Sequence, residues 1–306
     1  MENRKIVLVC LAIVIVFCAV IVAAWVFIGP MRDIGIGKQV AVIYVQGEMI
    51  TGNVPLGIGY ATSEDICESI REAAEDASIG AIVLRINSPG GTPAAAQEII
   101  TEIKRAQDKG IPIVVSMGDI AASGAYYISA PADVIVANPD TMTGSIGVTW
   151  TFVDKSGYYS EEGIEFYIAK SGEFKDMGVD WRGLTDEEKE YANEVVMSVY
   201  ERFVSEIAED RNMSISRVKE LSDGRVYIGA DARDLGLIDE FGNLHDAIAI
   251  AAELGGIKGV PRAKYMNAPS LAELLFGSKT LGKTDYACYY LRYLKESPYG
   301  QLISRT

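Results

Sequence analysis

The chain has 306 residues, 49% of them hydrophobic and 23% charged, with a formal net charge of -14. That length suits one large or two small globular domains, and the acidic balance argues against nucleic acid as a partner. Of four cysteines, Cys10 and Cys18 fall inside an apolar run, which leaves at most one pair, Cys67 with Cys288, and no disulfide framework.

The apolar run is the first element. From Ile6 to Gly29 there is no charged side chain, enough as a helix to cross about 30 Å of hydrocarbon, and the run reads as a transmembrane anchor. A cleavable leader would be shorter and end in small residues, whereas Ala23 and Ala24 precede bulky Trp25. Arg4 and Lys5 stand before the run, with Arg32 and Asp33 after it. The positive-inside rule therefore keeps residues 1–5 in the cytoplasm and places the body, beyond a linker at 30–38, outside the cell membrane.

The body opens with a β-branched strand, Val40 to Val45, then a helix capped by Thr62 and Asp65 with Ile66, Ile70 and Ala74 on one face. Ile79 to Ile86 reads as a buried strand, Asn87 to Thr92 (NSPGGT) as a tight loop, and Pro93 to Lys109 as a helix turning Ala96, Ile99, Ile100 and Ile103 inward. Next come a strand at Ile113 to Met117, a small-residue turn GDIAASG, a short helix through Tyr127, and a strand at Val134 to Ala137. Val148 to Val153 and Glu165 to Ile168 are further strand candidates. Thr185 with Glu188 makes a capping box for a long helix with Tyr191, Val195, Val199, Phe203 and Ile207 inward. Strands alternating with helices predict an α/β fold with a parallel sheet. No repeat or low-complexity tract interrupts it, so residues 39–260 read as one domain. The 261–306 tail, with seven Lys/Arg against three Asp/Glu, is either a solvated end or a contact for lipid headgroups or a neighbouring subunit.

The chain has one histidine, His245, near the start of an amphipathic helix, so a Ser-His-Asp triad is not available. Too few cysteines stand outside the anchor for a zinc site. A lysine amine can activate serine instead, provided that burial brings it down from about 10.4 towards neutrality. AASGAYYI at 121–128 offers Ser123 at a strand-to-helix turn, hemmed by small residues, with the Gly124 N–H facing the same space. The NSPGG loop can aim a second N–H, that of Gly91, at an oxyanion. Taken singly, each of these also has an ordinary reading: a glycine-rich turn, a helix cap, a solvated lysine.

Four motifs in this order and spacing, NSPGG, AASGAYYISAPAD, TGSIGV and KSGEFKD, with GRVYIGADARDLGLID at 224–239, resemble signal peptide peptidase A, a Ser-Lys peptidase family of ClpP/crotonase-like fold, over residues 40–250. The resemblance implies repeated β-β-α units, Ser123 as nucleophile and Lys175, the second lysine of KSGEFKD, as general base. It further implies oxyanion donors at Gly91 and Gly124 and a Ser145 hydroxyl that orients the lysine. Lys170, Lys155 and Ser88 have ordinary roles in this reading, and Asp119 and Tyr126 have none assigned.

Long members of that family contain the fold twice. A single copy therefore implies homo-oligomerisation, and likeness to short members implies that Lys175 reaches the Ser123 of a neighbouring subunit. The expected function is a membrane-anchored serine endopeptidase, needing neither metal nor cofactor, that degrades remnant signal peptides and other hydrophobic peptides. Alternatives are a membrane protease restricted to one partner protein, a non-catalytic membrane scaffold, and a crotonase-like acyl-CoA enzyme that would use neither Ser123 nor Lys175.

Overall fold

The structure, a computed structural model, describes residues 37–52 and 59–267. The expected anchor at 6–29, most of the linker, and the tail from 268 with Cys288 lie outside the described residues. No helix among the described residues is long and apolar enough to cross a membrane.

From Gln39 the chain forms one α/β unit. In chain order, β1 is Gln39–Gln46, β2 Glu48–Ile50, β3 Tyr60–Thr62, α1 Ser63–Glu75, β4 Ile79–Ser88, α2 Pro93–Asp108 and β5 Ile113–Ala122. The short α3 (Gly124–Ser129), β6 (Val134–Ala137), β7 (Met142–Gly144) and α4 (Ser156–Glu161) follow. A 3-10 turn at Glu173–Asp176 precedes α5 (Asp186–Asp210), α6 (Ile215–Leu221), β8 (Val226–Ile228), α7 (Gly229–Asp234), β9 (Glu240–Phe241), α8 (Leu244–Leu254) and β10 (Ala263–Tyr265). The main sheet runs β10-β1-β4-β5-β6-β9 with every pair parallel, and β2 and β3 make a small second sheet.

Parallel strands joined by crossovers are covered on both faces, which is why IGAIVLRI lacks polar alternation. Side chains still alternate. Ala41, Ile43 and Val45 of β1 and Ile82, Leu84 and Ile86 of β4 join the larger core. Val40, Val42, Ala81 and Val83 face the other way, with Ala247, Ile248 and Ala251 of α8. Ile66 and Ile70 of α1 and Ile99, Ile100 and Ile103 of α2 are buried in the larger core as their spacing predicts. Thr62 caps α1, and Thr92 caps α2 ahead of Pro93.

Three expectations are corrected. GDIAA is strand: β5 runs on to Ala122, pairing β6 through Val114–Ser116 and then β7 through Ile120–Ala122. The change of neighbour falls at Gly118, where the Asn87 side chain accepts from the Asp119 and Ile120 N–H groups (3.0 and 3.1 Å) and takes the place of a ladder partner. Val148–Val153 and Glu165–Ile168 form no strand. Val148 packs against the larger core; the others belong to an arm at 149–184, where Trp150, Val153 and Tyr167 are 48, 55 and 93% exposed. Finally, Ala263–Tyr265 pairs with Val40–Val42, so the sheet runs a few residues beyond the expected boundary at 260.

The long helix α5 begins where expected, with both hydrogen bonds of the Thr185–Glu188 capping box. Phe203 and Ile207 are buried, but Tyr191 is 48% exposed, because the first turns of α5 meet the arm rather than the core. There Arg182 donates to Glu188 Oε1 (2.6 Å) and Oε2 (2.7 Å) and to Asp176 Oδ1 (2.8 Å). The guanidinium holds the Glu188 carboxyl down to about 2, and Arg182 and Lys170 hold Asp176 well below the carboxylate range.

A carboxyl whose native pKa lies below its unfolded value, about 4.3 for glutamate, adds stability above that value and loses it as pH falls through the native one. Urea-unfolding midpoints should therefore fall steadily from about pH 4.5 to about pH 2. In Glu188→Gln the fall over this window should be shallower, which titrated unfolding curves will read directly.

Candidate active site

β5 delivers Ser123 to the end of the sheet. Its N–H continues the ladder by donating to Gly144 O (2.8 Å), and its C=O accepts the Tyr127 N–H (2.9 Å) to begin α3. Between the two the backbone turns sharply, leaving Ser123 at φ 53°, a left-handed conformation rare for a residue other than glycine. The side chain caps nothing and lines a cavity of about 700 Å³. Tyr126 secures the helix behind it: fully buried, it donates from its hydroxyl to Leu237 O (3.0 Å), and burial raises its pKa.

The NSPGG loop lies against this turn. Ser88, read as ordinary, is fully buried and accepts the Gly90 N–H at its Oγ (3.1 Å). Met49 of β2 grips the loop on both sides, its N–H donating to Gly90 O and its C=O accepting from Thr92 N, each at 2.8 Å. Contact is so close that a Cβ on Gly91 would lie 2.0 Å from Met49 O, and one on Gly90 would lie 2.9 Å from both Gly124 N and the Ser123 Cβ. A Cβ on Gly124 would stand 3.2 Å from Gly91 N. The Gly91 and Gly124 N–H groups thus sit side by side beside Ser123, and neither has an acceptor among the described residues. Two adjacent N–H donors without acceptors are an arrangement that can bind an anionic oxygen.

Ser145 lies on the same cavity. β7 pairs with β5 and β8, and the Ser145 N–H donates to Arg225 O (2.8 Å) with φ at 49°. Ser123, Gly91, Gly124 and Ser145 therefore come together although they are spread over more than fifty positions. Lys175 does not join them within one chain: it lies exposed on the 3-10 turn of the arm and lines no part of the Ser123 cavity. Lys170 and Lys155 are ion-paired, to Asp176 (2.7 Å) and Asp180 (2.9 Å).

One wall of the cavity has no sequence signal. Val196, Val199, Tyr200 and Phe203 of α5 line it with Val148 and Tyr127, the Tyr127 and Phe203 rings 4.3 Å apart. An apolar wall beside two free N–H donors fits a hydrophobic side chain with its carbonyl at the donors. Met49 was equally silent, since its grip is made by backbone. Asp119 is exposed, its carboxyl facing Asn87. Cys67 is buried and its thiol is pushed up to about 12 by desolvation, so it is inert. His245 is an exposed residue of α8. No group of three or more His, Cys, Asp or Glu among the described residues could hold a metal ion.

Comparison with known proteins identifies the family. The sequence model of Peptidase family S49 matches residues 105–258. Protease 4 of Salmonella typhi is 34% identical over 245 residues, 80% of this chain and 39% of its own length. A provisionally named protease of Methanocaldococcus jannaschii is 33% identical over 241 residues, covering 78% of this chain and 77% of its own. A provisionally named signal peptide peptidase SppA of Enterococcus faecium is 39% identical over 185 residues, 60% of this chain and 54% of its own. The chain thus spans well under half of the Salmonella protein but most of the archaeal one. The resemblance read from the motifs holds: the chain belongs to peptidase family S49, the SppA family, and is a serine peptidase.

Proposed function

We propose that this chain is a membrane-anchored endopeptidase in which Ser123 is the nucleophile, Lys175 the general base, Gly91 and Gly124 the oxyanion donors and Ser145 the residue that orients the lysine. The observation that carries the reading is the left-handed Ser123 beside two N–H groups without acceptors. The amine of Lys175 takes the Oγ proton of Ser123 as Oγ bonds to the substrate carbonyl carbon, and the carbonyl oxygen becomes an anion held by the two N–H groups. As the C–N bond breaks, the lysine returns that proton to the leaving amine. Water, deprotonated by the same lysine, then cleaves the acyl-enzyme.

Lys175 meets Ser123 in this reading when copies of the chain assemble. The arm that carries Lys175 exposes the large apolar side chains Trp150, Phe166, Tyr167, Ile168 and Phe174, which a second copy would cover. A lysine amine acts as a base only when desolvated, which such an interface provides. The β-strand, crossover, helix rhythm around a parallel sheet supports the ClpP/crotonase-like architecture. The apolar run at 6–29 supports anchoring, with the catalytic body outside the cytoplasm and near lipid. The apolar cavity wall and that location favour remnant signal peptides and other hydrophobic peptides as substrates.

With the full chain in detergent and a fluorogenic apolar peptide, Ser123→Ala and Lys175→Ala should each lose at least about 1,000-fold in kcat/KM. Mixed oligomers of the two inactive chains should regain part of the native rate if the dyad is shared between copies. An active Ser123→Ala or Lys175→Ala chain would remove the dyad, and an inactive native chain that still assembles would favour a scaffold. Gly91→Ala should abolish cleavage, because its methyl group and the Met49 carbonyl claim the same space. A crystal structure of that variant should show the loop displaced from β2.

A further inference from the structure

The turn that carries Lys175 has little to hold it. It is a single 3-10 turn, Glu173–Asp176, with no side-chain cap, and its first three residues are exposed. Charged side chains do the holding. Lys170 Nζ donates to Glu173 O (2.8 Å) and to Asp176 Oδ1 (2.7 Å), spanning both ends of the turn. Arg182 joins Asp176 (2.8 Å) to Glu188 (2.6 and 2.7 Å) and donates to Gly183 O (2.9 Å). Glu188 is itself fixed, accepting from the Thr185 N–H (2.9 Å) in the capping box of α5.

Exposed ion pairs contribute little, because water competes for both partners. Here the Asp176 and Glu188 side chains are only 11 and 3% exposed. A planar guanidinium can engage two carboxylates at once, which an ammonium does poorly. Phe174 against Tyr191 (5.5 Å between rings) adds an apolar contact between the turn and the same helix. That helix also walls the Ser123 cavity through Val196, Val199 and Phe203.

We propose that Arg182, bridging Asp176 to Glu188, is a positioning residue for the lysine base: it locks the Lys175 turn to α5 and so sets where the amine stands. This rests on the Ser123–Lys175 reading. A base displaced by about 1 Å can lose about 100-fold in rate, so the lock matters to turnover more than to substrate binding.

The test is initial-rate kinetics on the full chain in detergent with Arg182→Met, Arg182→Lys, Asp176→Asn and Lys175→Ala. Arg182→Met is expected to lower kcat by about ten- to a hundredfold with KM within about twofold, at unchanged oligomer size. Arg182→Lys, which can keep one of the two carboxylate contacts, should recover part of that loss. If Arg182→Met does not fold, Asp176→Asn, which preserves size and shape, takes its place and should show the same kcat-only defect. If Lys175→Ala and Ser123→Ala chains complement each other, Arg182→Met should likewise be rescued by Ser123→Ala chains, which lend an intact turn, and not by Lys175→Ala chains. If they do not complement, the kcat and KM split decides. Native kcat in both Arg182→Met and Asp176→Asn, a defect confined to KM, or rescue of Arg182→Met by Lys175→Ala chains would overturn the proposal. An active Lys175→Ala chain would instead overturn the dyad reading beneath it.

Discussion

The site depends on one packing constraint: three backbone segments meet where no side chain can stand between them. Met49 of β2, Gly90 and Gly91 after β4, and Ser123 with Gly124 after β5 approach so closely that a single Cβ on Gly91 would overlap the Met49 carbonyl. The approach is specific because hydrogen bonds enforce it, two from the Met49 backbone and one to the buried Ser88 hydroxyl. It also leaves the Gly91 and Gly124 N–H groups without acceptors among the described residues, on two glycines that line the same cavity. Unsatisfied donors are ordinarily a cost; in the proposed reading they are repaid when a peptide carbonyl binds.

The sheet and the arm differ in how they are stabilised. Through β1, β4, β5 and β6 the chain buries apolar side chains on both faces of a parallel sheet, the most effective source of stability open to it. From Thr149 to Leu184 it relies on aromatic contacts such as Phe166 on Trp181 (4.7 Å) and on the ion pairs of Lys155, Lys170 and Arg182. Aromatic rings left in water and carboxylates held by arginine suit a surface completed by another molecule, whereas the sheet is complete in itself.

Much of this could be read in the sequence where local chemistry decides. The β1, β4 and β6 strands, the caps at Thr62 and Thr185, and the inward faces of α1 and α2 follow from apolar spacing and cap residues. Ser123, Gly91, Gly124 and Ser145 were found through motif order and they share one cavity, yet no periodicity shows that β7 would lie beside β5. The failures have a common cause. GDIAA looks like a turn because its residues are small, but Asn87 supplies the hydrogen bonds that let β5 bend and continue. Val148–Val153 and Glu165–Ile168 have strand-like composition but pair with no strand, and strand propensity is expressed only where tertiary context supplies a partner. Arg182 carried no signal, since its importance lies in two carboxylates on separate elements.

The order of strands has a consequence for synthesis. Among the described residues β1 is the first strand made, and one of its two edges is covered by β10, the last of them. Until Ala263–Tyr265 has left the ribosome, Val40–Val42 present an open hydrogen-bonding edge flanked by apolar side chains, the kind of edge that recruits stray strands. The rest of the sheet can assemble in sequence as each crossover helix emerges, but closure waits for the far end of the domain. A nascent chain stalled before residue 263 would therefore hold a nearly complete sheet with its oldest strand unprotected.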